Sequence, residues 1–160
     1  MELEYRQGNL VDAYINGHVN HIAHCCNCFN TMGGGIAKEI AQRLPEAQKV
    51  DSATVSGDSN KLGKLTFAMA SIARPTDCVF NLYGQFGYGT EKRQVRYNDL
   101  KSALQIARLI IQSLGTEDRT PVLGLPKLGC GLAGGDWEVV ERIIKTAFLG
   151  SNIKVVIYEL

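Results

Sequence analysis

Several side chains that can do chemistry lie within one short segment of the chain. Residues 24–28 read His-Cys-Cys-Asn-Cys, and His21 precedes them by three positions. A histidine can act as an acid, a base or a donor to phosphate, and thiolates can bind metals or undergo oxidation. Metal binding, redox chemistry and phosphate recognition are therefore three candidate functions for this segment.

The cysteines in this segment favour neither a metal site nor a disulfide framework. The residue types suit zinc, but the paired Cys-x-x-Cys and His-x-x-x-His arrangements of zinc sites are missing. Neighbouring residues of a strand face opposite sides, so Cys25 and Cys26 would diverge. All five cysteines of the chain lie mainly in apolar contexts, and their number is odd. We therefore predict reduced, buried thiols in a cytoplasmic protein, with no metal and no cofactor.

Two glycine-rich stretches favour phosphate recognition. The first is Gly33–Gly35, and the second contains Gly129, Gly131, Gly134 and Gly135. Each follows an apolar run and precedes a helical pattern, where free backbone N–H groups and the helix dipole favour an anion. Tight strand-to-helix turns or a flexible loop would explain the same glycines without a ligand. The spacing of the G-x-G-x-x-G dinucleotide motif is absent.

The elements around these stretches alternate between strands and helices. Apolar runs predict strands at 3–7, 20–26, 65–73, 78–84, 121–126 and 154–160. Helical spacing predicts helices at 36–44, where Pro45 ends the pattern, at 97–114 and at 137–147. This order predicts a three-layer α/β/α domain with a central mixed, mostly parallel sheet. Ligands bind such sheets at the carboxyl ends of the strands, where both glycine stretches lie.

Composition sets limits on partners and location. A chain of 160 residues is long enough for one domain with a full core. The formal net charge is +1, from 17 basic and 16 acidic residues, which argues against bulk nucleic-acid binding. The first residues hold no apolar signal core, and no apolar run approaches the length of a membrane span. We expect neither a signal peptide nor a membrane segment.

Polar and aromatic side chains beside the glycine stretches are candidates for ligand contact. His24 ends a predicted buried strand, where it could serve as an acid, a base or a phosphate donor. Asn27 suits recognition of a hydroxyl, for example of a ribose, but it could equally cap its own loop. Phe86, Tyr88 and Tyr97 flank a loop that could cover a base or sugar, or they could simply pack together.

The motifs resemble those of the macrodomain family. The resemblance covers nearly the whole chain, so that residues 1–160 would form a single macrodomain, and it is strongest in HCCNCFNTMGGGIAKEI, NLYGQ and GLPKLGCGLAGGDW. Within the family, the chain is most similar to the ADP-ribose 1″-phosphate phosphatases typified by the yeast enzyme. It shares with them the Cys-Asn-Cys and Gly-Gly-Gly-Ile-Ala runs and a late Trp followed by Glu. The resemblance implies an ADP-ribose-binding α/β/α module.

The resemblance also implies roles for individual residues. Asn9 and Leu10 occupy the adenine-binding place, where the family usually has an Asp and a hydrophobic residue. Asn27 matches an asparagine that binds the distal ribose. The diphosphate and that ribose would lie against two loops, formed by Gly33, Gly34, Gly35 and Ile36 and by Leu128, Gly129, Cys130, Gly131, Leu132 and Ala133.

Two positions depart from a related branch that cleaves ADP-ribose from glutamate or from DNA bases. That branch uses a lysine after the fourth strand and often an aspartate in the second loop. Here Gln85 and Ala133 stand near those positions. Neither residue can form a Schiff base or act as a general acid. The departures weaken the prediction of a lysine-dependent glycohydrolase.

These observations lead to three functional hypotheses. The first is an enzyme that hydrolyses ADP-ribose 1″-phosphate, with His24 as proton donor or nucleophile. Asp136 is a weaker candidate for orienting water, since it also suits the capping of the following helix. The second is a non-catalytic ADP-ribose binder, and the third is a hydrolase that removes ADP-ribose from protein or nucleic acid. The sequence contains no pattern that indicates a particular oligomeric state.

Overall fold

The sheet observed in a computed structural model, which describes residues 1–116 and 118–160, is six-stranded. Its spatial order is β1-β6-β5-β2-β4-β3. Neighbouring strands run parallel except β3, which pairs antiparallel with β4 at one edge. The strands are β1 Glu4–Gln7, β2 His21–Cys25, β3 Leu65–Met69, β4 Cys78–Leu82, β5 Val122–Leu125 and β6 Lys154–Glu159.

Helices cover both faces of this sheet and divide the core in two. They are α1 Leu10–Ile15, α2 Gly35–Arg43, α3 Pro45–Ser52, α4 Tyr97–Leu114 and α5 Trp137–Phe148, with a 3₁₀ turn at Ser59–Lys61. Buried side chains of α4 and α5 pack with Phe80 and Leu123 on one face. Those of α1, α2 and α3 pack with Ile22 and Val79 on the other. The prediction of three layers with a mixed, mostly parallel sheet is confirmed.

The longest helix, α4, shows how the spacing of apolar residues in the sequence corresponds to a buried helix face. Its fully buried side chains recur at three- and four-residue spacing, so that one stripe faces the sheet: Leu100, Ala103, Leu104, Ala107 and Ile111. The predicted bounds of this helix, 97–114, are those observed. Its position matters for function because it begins directly after the loop that follows β4.

Two helices, α1 and α3, lie outside the ranges that the sequence predicts as helical. Pro45 was predicted to end the helix before it, and α2 does end at Arg43, but Pro45 is then the first residue of α3. Proline suits the first helical turn because its missing N–H would have no partner there.

No helix in the described ranges is both long and apolar enough to cross a bilayer.

The carboxyl ends of β2, β4 and β5 meet at one edge of the sheet. The first glycine loop, residues 26–34, leaves β2 and leads to α2. The β4–α4 loop, residues 83–96, leaves β4 beside it, and the second glycine loop, residues 126–136, connects β5 to α5. Parallel pairing of β2 with both β4 and β5 therefore brings three loops together.

Candidate functional site

These three loops enclose a cleft made of two adjoining cavities. Cavity A has a volume of about 340 Å³, and its walls come from the first glycine loop and the β4–α4 loop. Cavity B has a volume of about 400 Å³, and its walls come from the start of α2 and the second glycine loop. Four residues line both cavities: Cys25, Gly34, Ala37 and Leu132. The cavities are thus two parts of one cleft.

The boundary between the cavities is a contact between the two glycine loops. Leu132 is 60% exposed, and its side chain reaches across to the first loop. A Cβ atom at Gly34 would lie 2.9 Å from Cδ1 of Leu132. The absence of a side chain at Gly34 is therefore what allows the loops to approach each other here.

Helix α2 presents its N-terminus to the cleft. Gly34 is its N-cap, and no side chain caps the first backbone N–H groups. Gly34 and Ala37 both line the two cavities, so these donors open toward the space between the loops. Unpaired N–H groups and the positive end of the helix dipole favour an anion at this place. The start of α2 is therefore a place that favours an anion independently of any lysine or arginine side chain.

The second glycine loop turns tightly because two glycines approach each other. Gly129 has a φ of +66°, which is a left-handed conformation, and its carbonyl accepts a 2.7 Å hydrogen bond from the N–H of Gly135. A Cβ atom at Gly129 would lie 2.6 Å from Val95 Cγ2. Further along, Gln94 donates its N–H to the carbonyl of Ala133 at 2.8 Å. The second glycine loop is thus fixed against the β4–α4 loop.

Asn27 lies in cavity A, where its side chain also shapes the first glycine loop. Its Oδ1 accepts from the N–H of Phe29 at 2.8 Å, and its Nδ2 donates to the carbonyl and the Oγ1 of Thr31 at 3.1 and 2.7 Å. This is the loop-capping alternative stated above. The carbonyl oxygen of the amide keeps a second lone pair, so Asn27 can hold its loop and still accept from a ligand hydroxyl.

The structure corrects the placement of His24, which was expected beside the ligand. The ring has no exposed surface, and it does not line either cavity. Its Nε2 lies 2.7 Å from Oδ1 of Asn81, whose amide nitrogen donates to the carbonyl of Ala47 at 2.9 Å. Burial lowers the pKa of His24 to about 4. His24 is a neutral core histidine whose Nε2–H donates to Asn81, and this geometry does not support a catalytic role.

Three further candidates also make structural contacts away from the cavities. Asp136 is the N-cap of α5, and its Oδ1 accepts from the N–H of Glu138 at 2.9 Å. Asn9 is the N-cap of α1, and its amide donates to the Glu39 carboxylate at 2.9 Å. Leu10 is buried in the core. None of Asn9, Leu10 and Asp136 lines cavity A or B, so the geometry leaves their predicted roles without support.

The other predicted ligand-binding residues do meet at the cleft. Gly33 and Gly34 line cavity A, and cavity B has seven of the remaining predicted residues in its walls: Gly35, Ile36, Leu128, Gly129, Gly131, Leu132 and Ala133. Cys130 lies within the same loop, and its thiol donates to the carbonyl of Leu128 at 3.2 Å. Both departures from the lysine-dependent branch, Gln85 and Ala133, face the cleft as well.

Sequence reasoning missed several lining residues. Thr31, Ala37, Thr90 and Lys127 line the cleft, as do Cys25 and Cys26. A signal existed for Thr31, which lies between Asn27 and the glycines, and for Lys127, which begins the second glycine loop. No comparable signal marks Ala37, because its place in the cavity walls depends on how α2 is oriented about its own axis.

The cleft thiols are not nucleophiles at neutral pH. Burial raises the pKa of Cys25 to about 12 and that of Cys130 to about 11. A thiolate is the reactive form of cysteine, so these protonated groups are inert. All five cysteines are free. The described residues contain no cluster of His, Cys, Asp and Glu that could hold a metal ion.

The two buried histidines predict acid sensitivity of the fold. Burial lowers the pKa of His21 and His24 to about 4, from an ordinary value of 6.5. Below pH 6.5 the unfolded chain takes up protons that the native state refuses, so stability is lost as the pH falls from about 6.5 to about 4. Each histidine contributes about 3 kcal/mol to this loss. Asp51 and Asp77, whose pKa burial raises, act in the opposite direction in the acid part of this range.

Urea unfolding at pH 7.5 and pH 4.5 measures this effect. We expect a clear fall in the free energy of unfolding at the lower pH, and a smaller fall in His21→Gln. His18→Gln is the control, because His18 is exposed in the native state. Equal stability of the wild-type protein at both values would contradict the neutral burial of the histidines.

Comparison with known proteins assigns this architecture to a family. The sequence profile of the Macro domain family matches residues 23–144, which is most of the chain and includes both glycine loops. The chain belongs to the Macro domain family.

Relatives of the macrodomain extend over its whole length. It is 31% identical to a 17.5 kDa protein from the tk-vs intergenic region of Enterobacteria phage T4, covering 99% of this chain and 97% of the relative. It is 26% identical to an ADP-ribose 1″-phosphate phosphatase of Lodderomyces elongisporus, covering 98% and 99%. The human ADP-ribose glycohydrolase OARD1 is 25% identical, with 93% and 88% covered.

Solved structures agree with the fold. A protein from Bacteroides thetaiotaomicron superposes with a TM-score of 0.81 at 26% identity, covering 100% of this chain and 99% of the other. A macrodomain protein from Streptomyces coelicolor gives a TM-score of 0.75 at 27% identity, with 99% of both chains covered. The similarity therefore holds for the complete sheet and the helices on both of its faces.

Proposed function

We propose that this macrodomain, acting as one domain over residues 1–160, binds ADP-ribose in the cleft and hydrolyses ADP-ribose 1″-phosphate to ADP-ribose and phosphate. The observation that carries the proposal is the convergence of both glycine loops and the uncapped start of α2 on one elongated cleft. Relatives named as ADP-ribose 1″-phosphate phosphatases, 23–26% identical, support the choice of substrate. The five free thiols fit the reducing cytoplasm as its location.

The proposed binding mode follows the chemistry of the walls. The diphosphate lies between the start of α2 and the second glycine loop, where backbone N–H groups donate to its oxygens. The distal ribose and the 1″-phosphate lie in cavity A, whose polar side chains include the neutral groups Asn27, Thr31, Gln85 and Thr90. Hydroxyl and amide groups of this kind match the alternating donors and acceptors of a sugar.

The proposed hydrolysis relies on charge stabilisation. Transfer of a phosphoryl group passes through a loose transition state, in which charge spreads over three oxygens and the nucleophile is weakly bonded. Water attacks phosphorus, the bond from phosphorus to the anomeric oxygen breaks, and a proton from the water ends on that oxygen. Polar groups in the walls of cavity A that donate to the phosphoryl oxygens lower this barrier without a histidine.

A second candidate function, binding without turnover, is favoured by one observation. The described walls of cavity A contain no Asp, Glu, His, Lys or Arg side chain. General acid–base catalysis typically contributes roughly 10²–10⁴-fold to a rate, and it most often uses side chains of the five types named. A protein that only sequesters ADP-ribose would need no such group. Phosphate release from ADP-ribose 1″-phosphate, measured beside calorimetric binding of ADP-ribose, separates the two candidates.

Filling the cleft tests the location of the ligand. Ala37 lines both cavities, and leucine forms helices nearly as well as alanine. We expect Ala37→Leu to weaken ADP-ribose binding by about tenfold or more, because about three added carbon atoms occupy the space between the loops. The matched control is Lys38→Ala, at the exposed neighbouring position of the same helix. Unchanged affinity of Ala37→Leu with a normal thermal midpoint would place the ligand elsewhere.

A further inference from the structure

A buried lysine lies behind the first glycine loop. Lys61 is 8% exposed, and its ammonium donates to Asn30 Oδ1 at 2.7 Å and to Thr54 Oγ1 at 2.9 Å. It also lies over the ring of Tyr83, 5.3 Å from the centroid. Its hydrogen-bond acceptors are neutral oxygens. Lys61 does not line the cleft, and neither candidate function described above uses it.

The main acceptor of this lysine has an unusual backbone conformation. Asn30 has a φ of +60°, the left-handed region that most side chains avoid. Its Nδ2 donates to the carbonyl of Thr54 at 2.7 Å, and its Oδ1 also accepts from Thr54 Oγ1 at 3.1 Å. A glycine at this position would adopt the same backbone angle, but it would have no side chain to make a hydrogen bond. The amide of asparagine adds a connection from the loop to Lys61 and Thr54.

This connection reaches the cleft through the next residue. Thr31 follows Asn30 and lines cavity A, where its carbonyl and hydroxyl accept from the amide of Asn27. The segment 27–31 is therefore held from two sides. Asn27 closes it from the side of the cavity, and the Lys61–Asn30–Thr54 cluster fixes it from behind.

Stability alone does not explain a buried ammonium in this place. Removing a charge from water is costly, and the direct acceptors of Lys61 are neutral, so that its charge is offset only through the nearby buried carboxylate of Asp51. What the cluster supplies is geometry, because three side-chain hydrogen bonds and a left-handed residue define one path for the loop. Preorganisation of this kind favours ligand binding, since the loop then loses less freedom when the ligand arrives.

We propose that Lys61 is a positioning residue for the ligand: through Asn30 it fixes the segment 27–31 in the conformation that presents Asn27 and Thr31 to the distal ribose. This inference rests on the proposed function, because the ligand it names is ADP-ribose. Lys61 touches neither ligand nor reacting atoms in this arrangement. Its effect passes entirely through the backbone of the loop.

Lys61→Met tests the proposal, since methionine fills similar space without the ammonium. We expect the Kd for ADP-ribose to rise about tenfold, because the loop must then be ordered on binding. The thermal midpoint should fall as well, because the buried Asp51 carboxylate loses a nearby cation and Asn30 Oδ1 loses its donor. Tyr14→Phe is the matched control: it removes a buried hydrogen bond to the Asp77 carbonyl far from the cleft, and should lower the midpoint without changing the Kd.

Amide hydrogen exchange measures how firmly the first glycine loop is held in the absence of any ligand. The N–H of Phe29 bonds to Asn27 Oδ1, and the N–H of Gly57 bonds to the carbonyl of Cys28 at 2.7 Å. In Lys61→Met both amides should exchange at least about tenfold faster, while that of Phe80 in β4 keeps its wild-type rate. If the wild-type protein fails to bind ADP-ribose but these amides respond, the proposed function is overturned and the positioning of the loop stands.

Asn30→Gly provides the second variant, because glycine keeps the left-handed backbone and removes the amide. The double variant Lys61→Met/Asn30→Gly should bind no more weakly than Asn30→Gly alone, since Lys61 is proposed to act through Asn30. Additive losses would show that Lys61 acts by another route. Wild-type affinity and wild-type exchange in Lys61→Met would overturn the inference and leave Lys61 a packing residue.

Discussion

Replacing Gly129 with alanine is expected to abolish ADP-ribose binding and to destabilise the fold. The φ of +66° at this residue is left-handed, which costs an alanine about 1 kcal/mol. The new Cβ would also lie 2.6 Å from Val95 Cγ2 and 3.0 Å from Val95 Cβ. Overpacking of this kind costs about 1–3 kcal/mol. We expect a loss of about 2–4 kcal/mol in the free energy of unfolding.

Binding suffers more than stability because the residue organises the cavity wall. The carbonyl of Gly129 accepts from the N–H of Gly135, and Gly131, Leu132 and Ala133 between them line the proposed diphosphate site. A shift of this turn would move several backbone N–H donors of the second glycine loop out of hydrogen-bonding position together. We expect the Kd for ADP-ribose to rise by roughly a hundredfold or more, which corresponds to the loss of two charge-assisted hydrogen bonds.

Urea unfolding and calorimetric titration of the same preparations measure both effects. Gly131→Ala is the control for stability, since it lies in the same loop, has an ordinary φ and would place its Cβ in open space. It should unfold at the wild-type urea concentration. A Gly129→Ala protein that binds ADP-ribose normally would show that the second glycine loop does not hold the diphosphate.

Much of the fold follows from local sequence patterns. The six strands and the helices α2, α4 and α5 were predicted from apolar runs and helical spacing, because their buried residues are close in sequence. The exceptions are the six-residue helix α1 and the helix α3. The proline of α3 was interpreted as a stop signal, and that helix has few apolar residues of its own: only Ala47 and Asp51 are buried in it. Helices of that kind depend on tertiary contacts that local patterns do not contain.

The glycine loops were predictable for a different reason. Backbone that turns tightly or approaches another loop closely requires glycine, so the requirement is written in the residue type itself. Gly34 opposite Leu132 and Gly129 opposite Val95 are both such approaches. Their convergence on a single cleft then follows from the parallel sheet, since the loops after β2 and β5 emerge at the same edge.

The placement of His24 could not be predicted from the sequence, because it depends on which face of the sheet the residue occupies. Neighbouring residues of a strand face opposite sides of the sheet, and nothing local decides which side faces the ligand. The register with β4 decides it: His24 pairs with Asn81 and Cys25 with Leu82. Cys25 consequently lines the cleft, while His24 turns toward Asn81 and the layer of α3. Chemical versatility makes the histidine a candidate, whereas its position on the strand turns its ring away from both cavities.

His24→Ala is therefore expected to lose stability and to keep its activity. The truncation leaves a cavity and an unpartnered Oδ1 on Asn81, which has no access to water. Together these cost about 2–4 kcal/mol in the free energy of unfolding. His24→Gln can still donate to Asn81, and it should recover part of this loss. Urea unfolding of the three proteins at pH 7.5 measures the difference.

Turnover separates this structural role from a catalytic one. Since small domains are stable by about 5–15 kcal/mol, most His24→Ala molecules remain folded in dilute buffer. Per folded molecule, we expect phosphate release from ADP-ribose 1″-phosphate within about twofold of the wild-type value, as for any residue outside the reaction. A variant with wild-type stability and no turnover would return the histidine to the chemistry, and would require a native state in which its ring leaves Asn81 for the cleft.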